Sequence, residues 1–266
     1  MSHFTVLVIN SEGFDDWESQ LEPFDENIEV EQYDSSLVDD DEWKRMRNHY
    51  AKTDESVLTM SNTELYSKYG DSWNDNMWVD EGDEKWVEKS TYNPDSKWDW
   101  YLMGGRWRGM LKLKKGKEGI LGDSGVFDNK PFLENGVDQA KYGDIDWEGM
   151  VNPNEFEKQS RFWEIYVEGD TPKNDAERDM IEHTWYKKEY FVDKYKNKET
   201  YLKAMLSFST YAVLKDGEWI EPGEMGWFGS SNATNESKLD FEINFHDKFL
   251  KDLSDDALLT IVDCHI

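Results

Sequence analysis

Apolar and polar positions along this chain predict strands near both of its ends. Residues 3–9, HFTVLVI, are rich in β-branched side chains and wholly apolar after Thr5, as in a strand whose two faces are both covered. Residues 258–266, LLTIVDCHI, form a similar run. We therefore expect the two runs to be strands of one sheet.

Between these runs, the spacing of apolar positions predicts a mixture of helices and strands. Helices are predicted over 39–52, 62–70, 154–169, 174–191, 198–206 and 239–253. Strands are predicted over 84–92, 98–103 and 109–116, and a hairpin over 210–221. The hairpin turns at Asp216-Gly217, which suits a type I′ turn. In the last helix, Phe241, Phe245 and Phe249 fall on one side.

This order of elements predicts an α+β fold. We expect a mostly antiparallel or mixed sheet that includes both terminal strands, with helices packed largely on one face. Residues 1–266 are predicted to form a single domain, within which 153–206 could be a helical insertion. The stretch 116–152 is rich in Gly and Asp and is predicted to be a long loop, a feature that often carries function.

Charge restricts the partners that the protein can bind. The chain has 58 Asp and Glu against 30 Lys and Arg, a net charge of −28. Such a surface repels nucleic acid and anionic membranes, so we expect no direct binding to either. It would attract a host protein with a basic surface, although a well-solvated surface is the plainer explanation. Thirteen each of Trp, Tyr and Phe indicate a packed core rather than disorder.

Cysteine content and apolar run lengths predict a soluble, cytoplasmic protein. A single cysteine, Cys264, permits no internal disulfide, which fits a reducing compartment. No apolar run approaches about 18 residues, and the first ten residues lack the basic start of a signal peptide. Cys264 has no basic neighbour in sequence to activate it, so we expect a buried, inert thiol.

Residues 96–111, SKWDWYLMGGRWRGML, combine tryptophans, a double glycine and arginines. Arg106 could grip a phosphate or carboxylate while a nearby ring stacks on a base. The alternative is a core strand with a β-bulge, in which Arg106 pairs with an acid such as Asp99. The candidate ligand-binding residues of this segment are Trp98, Trp100, Gly104, Gly105, Arg106 and Trp107.

A second aromatic-glycine cluster occupies residues 224–234, EMGWFGSSNAT, directly after the predicted hairpin. Glu224 could orient Arg106 or act as a base, and Trp227 could stack on a ligand. Alternatively, the glycines of this stretch only turn the chain.

Histidines near the two ends of the chain form the third candidate site. If the terminal strands pair antiparallel, His3 lies near His265, with Asp263 close by. Such a group could bind a divalent metal or perform acid–base chemistry. His3-x-Thr5 matches half of the two-histidine phosphoesterase signature, but a second His-x-Ser/Thr is absent. The alternative is a pair of strand-end histidines bonded to the backbone, and neither a metal nor a cofactor is assigned.

Six ordered segments together resemble a family of uncharacterised tailed-bacteriophage proteins. They include an SHFTVLVI-like first strand, the WDWY..GGRW.G motif at 98–109 and the ending VDCHI at 262–266. The resemblance spans the chain but carries no established activity, so it transfers no active site. It implies a phage origin, action in the cytoplasm of a bacterial host and an accessory role towards host or defence machinery.

Three function hypotheses follow. The first is a phage accessory protein that acts by binding, inhibiting a host defence factor with a basic surface. The second is an enzyme that acts on a nucleotide-like phosphorylated ligand, or a sponge, meaning a protein that sequesters such a ligand. The third, with few supporting features, is a virion component. The second hypothesis predicts that one pocket gathers Arg106, Glu224, Trp227, His3 and His265.

Overall fold

The two most apolar runs of the chain are neighbouring antiparallel strands. The computed structural model describes residues 3–10, 16–73, 77–82, 85–125, 130–226 and 230–266. His3–Asn10 pairs with Leu258–His265 along its whole length. Six consecutive residues inside each strand are buried, because both faces of the sheet are covered by other parts of the chain.

The described strands are β1 (His3–Asn10), β2 (Glu29–Leu37), β3 (Met77–Asp80), β4 (Trp86–Tyr92), β5 (Trp100–Met103), β6 (Leu111–Lys112), β7 (Gly136–Val137), β8 (Gln139–Lys141), β9 (Ala212–Lys215), β10 (Glu218–Ile220) and β11 (Leu258–His265). The described α-helices are α1 (Glu18–Leu21), α2 (Asp40–Tyr50), α3 (Asn62–Trp73), α4 (Pro153–Trp163), α5 (Asp175–Glu182), α6 (Lys188–Tyr195), α7 (Lys198–Leu206) and α8 (Asn235–Ile243). Described 3₁₀-helical turns lie at Glu22–Phe24, Glu55–Thr59, Gly105–Trp107, Tyr142–Asp144 and Glu148–Met150, and π-helical turns at Glu164–Glu168 and His246–Leu250.

The central sheet is mixed. Its strand order is β10-β9-β1-β11-β5, and β8 also pairs with β11. β1 and β9 run parallel, whereas the other pairs are antiparallel. The predicted α+β fold, with both terminal strands in one sheet, is therefore confirmed. The β9–β10 hairpin turns at Asp216 and Gly217, whose φ angles of 53° and 78° suit the predicted type I′ turn.

The two faces of the central sheet pack against different parts of the chain. On one face, Leu7 and Ile261 meet a stripe formed by Phe241, Phe245 and Phe249, which confirms the predicted apolar side of that helix. On the other face, the packed residues are Phe4, Val6, Val8, Leu21, Trp98, Ala212, Leu214, Val262 and Cys264. Burial on both faces makes β1 and β11 the most constrained strands of the molecule.

The chain divides into two compact units. The larger unit comprises Met1–Asp25 and Lys97–Ile266, and the smaller unit comprises Glu26–Ser96. The smaller unit has its own aromatic core, in which Trp43 makes edge contacts with Trp78 and Trp86. Residues 153–206 belong to the larger unit. The single domain with a helical insertion there stays a prediction.

Several predicted elements differ in extent from the observed ones. Of the strand predicted over 109–116, only Leu111–Lys112 forms, and the loop predicted over 116–152 includes β7 and β8. The helix predicted over 174–191 is two helices. The side chain of His183 bonds to the Asp179 carbonyl, and that of Thr184 bonds to the Met180 carbonyl. Such side-chain bonds compete with the backbone bonds of a helix, which agrees with the end of α5 at this point.

In the described part of the chain, no helix has the length and apolar character needed to cross a membrane.

Candidate functional site

A cavity of about 550 Å³ opens where the ends of β1 and β11 meet β5. The register places His3 opposite His265, and His265 opposite Trp100 on the next strand. Because side chains alternate along a strand, these three residues project from the same face of the sheet. The cavity is lined by His3, Trp100, Leu102, Gly105, Arg106, Asp123, Ser124, Gly125, Asp263 and His265.

Each of the two histidines is held by its own carboxylate. His3 Nδ1 lies 2.8 Å from Asp263 Oδ1, and His265 Nδ1 lies 2.5 Å from Asp99 Oδ1. Both imidazoles are mostly buried, with 15 % of each side chain exposed. The ring centroids are 4.9 Å apart, with 68° between the ring planes. The predicted alternative, strand-end histidines bonded to the backbone, is therefore wrong for both.

These contacts determine which ring nitrogen is available for chemistry. An ionised carboxylate can only accept hydrogen bonds, so the proton of each neutral imidazole belongs on Nδ1. Nε2 then carries the lone pair and can take up a proton from a bound molecule. When protonated, the same Nε2–H can donate to a leaving oxygen. Two such rings, each oriented by a carboxylate, form a pair of general acid–base groups.

The double glycine brings a loop onto Asp263. Gly104 and Gly105 have φ angles of 83° and 52°, in the region where glycine is favoured. A Cβ on Gly105 would lie 2.4 Å from Asp263 Oδ2. This close approach lets the Arg106 backbone N–H donate to the same oxygen, at 2.9 Å. Asp263, which is 2 % exposed, therefore holds His3 with one oxygen and the loop with the other.

A second buried carboxylate organises the loops around the cavity. Asp138, fully buried, accepts hydrogen bonds from the backbone N–H groups of Gly109, at 2.6 Å, and Gly122, at 2.8 Å. Burial raises the pKa of this carboxyl, while the two hydrogen bonds act in the opposite direction. The adjoining loop is tied to the double glycine, since the Gly105 N–H donates to the Asp123 carbonyl at 2.9 Å.

Arg106 and Trp100 give the cavity a cationic and an aromatic wall. The side chain of Arg106 is exposed. Trp100 is 46 % exposed, unusual for so large a ring, and its centroid lies 6.0 Å from that of His3. A guanidinium can bind an oxyanion through two parallel hydrogen bonds, and a half-exposed indole can stack on a planar ring. Arg106 and Trp100 therefore line the same cavity as His3 and His265, whereas Glu224, which was predicted to join them, does not.

Three other residues of the 96–111 segment serve the core rather than the cavity lining. Trp98 packs on the opposite face of the sheet, where its indole N–H donates to the Leu21 carbonyl. Trp98, a predicted ligand-binding residue, therefore does not share a face with Trp100, because β5 begins only at Trp100. Trp107 packs against the Phe245 side of the sheet. Gly104 is buried and donates its N–H to the Ile261 carbonyl.

In the described part of the second aromatic-glycine cluster, Glu224 is not placed to orient Arg106 as predicted. Glu224 lies outside the cavity lining and is bonded to Asn232 through both its backbone N–H and its side chain. This local turn, rather than the cavity, accounts for its position. Trp227 lies outside the described residues. Cys264 is buried, and burial raises the pKa of its thiol, so the prediction of a buried thiol is confirmed.

Several residues of the site were missed by sequence reasoning. Asp99 was considered only as a partner of Arg106, yet it orients His265. Residues 123–125 belong to the long Gly- and Asp-rich stretch that was expected to be functional, but no residue was singled out there. Asp138 stands between Val137 and the polar Gln139, so the sequence gives no sign that its carboxylate is buried. Thr5 accepts a hydrogen bond from the Tyr211 N–H, so the threonine of His-x-Thr has a structural contact here.

The donor set of the cavity is suited to moving protons. In the part of the chain that the structure describes, no group of three or more His, Cys, Asp or Glu side chains is arranged to hold a metal ion. Asp263 accepts from His3 and from the Arg106 N–H, and Asp99 holds His265. A histidine–carboxylate pair of this kind can accept or donate a proton.

Comparison with known proteins adds no family assignment. No protein-family model, curated protein or solved structure matches this chain. The cavity brings together two carboxylate-held imidazoles, one half-exposed indole and the guanidinium of Arg106, which come from β1, β11, β5 and the Gly105–Trp107 turn.

Proposed function

We propose that the cavity binds a nucleotide-like molecule, one that joins a phosphate to a flat aromatic ring. This proposal is supported by one observation: Arg106, Trp100 and the two carboxylate-held histidines line a single cavity of about 550 Å³. That volume falls within the usual range of small-molecule sites. This corresponds to the enzyme or sponge hypothesis drawn from the sequence.

The two walls of the cavity suit the two parts of such a ligand. The guanidinium of Arg106 can donate two parallel hydrogen bonds to two oxygens of a phosphate. The exposed part of Trp100 offers a stacking surface for a base, a contact that contributes about 1–3 kcal/mol. In a chain with net charge −28, an anion needs local positive charge. Arg106 supplies it, and each protonated imidazole adds to it.

Ligand binding can be tested by thermal shift and calorimetry with AMP, adenosine and inorganic phosphate as probes. AMP should raise the melting temperature, and the two half-ligands should do so less. Arg106→Ala should weaken AMP binding about tenfold to a hundredfold, since hydrogen bonds to charged groups contribute about 1.5–3 kcal/mol. Trp100→Ala should weaken AMP and adenosine but leave phosphate unchanged.

Matched controls use the same residue types away from the cavity. Arg178 is an exposed arginine on α5, paired with Asp175, and Trp185 is 96 % exposed. Arg178→Ala and Trp185→Ala should leave AMP affinity unchanged. No stabilisation by AMP, or equal losses in the cavity and control variants, would contradict the proposal.

A second proposed function is binding to a basic host protein, and the charge of the smaller unit favours it. Residues 26–96 contain 19 Asp and Glu against 7 Lys and Arg. Within this unit, strand β2 is exposed at seven of its nine positions, including Glu29, Glu31 and Asp34. A phage accessory role in which this surface captures a basic defence factor agrees with the family resemblance. The two functions use different parts of the chain.

A further inference from the structure

We infer that the cavity does more than bind: it cleaves a phosphodiester whose ribose carries a neighbouring 2′-hydroxyl group, as in a short ribonucleotide. The inference rests on the proposed nucleotide site and assigns it a substrate class and a reaction. Its basis is the pair His3 and His265, whose ring centroids lie 4.9 Å apart on neighbouring strands. At that separation, both imidazoles can reach oxygens bound to a single phosphorus atom.

The reaction needs one proton acceptor and one proton donor. One imidazole, neutral at Nε2, removes the proton of the 2′-hydroxyl as that oxygen bonds to phosphorus. The other imidazole, protonated at Nε2, gives its proton to the 5′-oxygen as the phosphorus–oxygen bond breaks. The products are a 2′,3′-cyclic phosphate and a free 5′-hydroxyl. The two imidazoles end with exchanged protonation states, so protons and charge balance without a redox partner.

The carboxylates explain why two histidines suffice for these transfers. Asp263 and Asp99 each hold an Nδ1 and stabilise the imidazolium that forms when Nε2 takes up a proton. Asp263 is itself fixed by the Arg106 N–H, so its orientation does not depend on the ligand. The strand register keeps the two rings opposite each other, which makes the pair preorganised.

The arrangement favours attack by a hydroxyl group of the substrate rather than attack by a water molecule. Asp263 and Asp99 are occupied in holding the imidazoles. Asp123, the third carboxylate of the lining, accepts the Gly125 N–H with one of its oxygens. A 2′-hydroxyl needs no carboxylate to position it, because it is already attached beside the phosphorus. Well-oriented neighbouring groups of this kind reach effective concentrations of about 10⁵–10⁸ M. Arg106 lines the same cavity, where a guanidinium stabilises the non-bridging oxygens on which negative charge increases.

The test uses the dinucleotide adenylyl-3′,5′-adenosine and its analogue lacking the 2′-hydroxyl, each with the full-length protein. Products are followed by chromatography and ³¹P NMR, in EDTA so that contaminating metal-dependent nucleases are inactive. The ribose form should give adenosine 2′,3′-cyclic phosphate and adenosine. The deoxy form should bind and remain intact. His3→Gln and His265→Gln should each lower the rate by about 10²–10⁴-fold.

Two further variants separate chemistry from folding. His183→Gln changes an exposed histidine at the end of α5 and should leave the rate unchanged. Asp99→Asn keeps both imidazoles but weakens the orientation of His265, so the rate should fall less than in His265→Gln. AMP affinity and melting temperature, measured for every variant, report whether the fold and the binding site persist.

Each outcome decides the inference. Cyclic product from the ribose form alone, lost in both cavity histidine variants, supports it. Binding of both dinucleotides without cleavage overturns the inference and leaves the proposed binding function intact. Equal cleavage of the deoxy form overturns the role of the 2′-hydroxyl, and activity unchanged in His3→Gln overturns the role of the pair. Failure of AMP and both dinucleotides to bind overturns the proposed function itself.

Discussion

A single carboxylate, Asp263, connects the parts of the candidate site at the residue scale. Its two oxygens hold the imidazole of His3 and the backbone N–H of Arg106. His265 lies two residues further along the same strand, on the same face. The contact with the loop requires that residue 105 have no side chain, because a Cβ there would lie 2.4 Å from the carboxylate. Gly105 is thus a positioning residue for both His3 and Arg106.

Substituting Gly105 tests this contact. Gly105→Ala should displace either the loop or Asp263 and lower AMP affinity at least tenfold, measured by calorimetry. Gly116 is the matched control, because its φ of 79° imposes the same backbone strain while nothing lies within 4 Å of an added Cβ. Gly116→Ala should cost about 1–2 kcal/mol of stability and leave AMP affinity unchanged. Equal affinity in the two variants would show that the close contact does not position the site.

At the scale of elements, ion pairs rather than apolar contacts alone join the helices of 153–206. Glu164, directly after α4, lies 2.9 Å from Arg161 and 2.7 Å from Lys198 at the start of α7. Lys198 and Arg161 together lower the pKa of Glu164 from 4.5 to about 2. The ionised form is therefore stabilised by folding. Its contribution is present above pH 4.5 and is lost as the pH falls towards 2.

Glu164→Gln should change the acid stability of the protein in a defined window. The variant should be less stable at pH 7 by about 1 kcal/mol, the size expected for an ion pair near the surface. Between pH 4.5 and 2 it should lose less stability than the wild type, because it has no carboxylate to protonate there. Urea unfolding across this range measures the difference. Glu157→Gln, an exposed position on α4, should keep the wild-type pH dependence.

At the scale of the whole molecule, charge determines which partners can approach. The net charge of −28 disfavours long nucleic acids but does not prevent a dinucleotide from entering a cavity that has its own guanidinium. The same charge favours a basic protein partner, and long-range attraction of this kind is screened beyond about 8 Å at physiological salt. Binding at the surface of the smaller unit should therefore depend strongly on ionic strength.

A pull-down from host lysate at low salt, followed by affinity measurements in increasing NaCl, tests the second function. Affinity for the captured partner should fall steeply with salt. A double variant on the exposed strand β2, Glu29→Lys with Glu31→Lys, should weaken binding to the captured partner. The control is Glu157→Lys with Glu168→Lys, which changes the net charge equally but in the larger unit. The control should weaken binding less. Salt-independent binding, or equal effects of the two double variants, would contradict an acidic docking surface on this unit.

The elements whose signals are local can be predicted from the sequence alone. The apolar runs at 3–9 and 258–266, the Asp216-Gly217 turn and the phenylalanine stripe were all predicted, because strand burial, turn geometry and helix periodicity depend on neighbouring residues. The grouping of His3, His265, Asp263 and Arg106 followed from a single assumption, that the two end strands pair. The strand register bears out that assumption.

Which acidic residue contacts which group depends on the packing of the folded chain. Asp99 holds His265 rather than Arg106, Glu224 turns its own loop, and Asp138 ties together two segments that contribute to the site. The sequence offers 58 acidic residues, so spacing along the chain cannot select among them. For Asp99 and Asp138, the choice depends on distances of less than 3 Å to residues that are at least 16 positions away in sequence. Such distances exist only once the strands and loops have packed together.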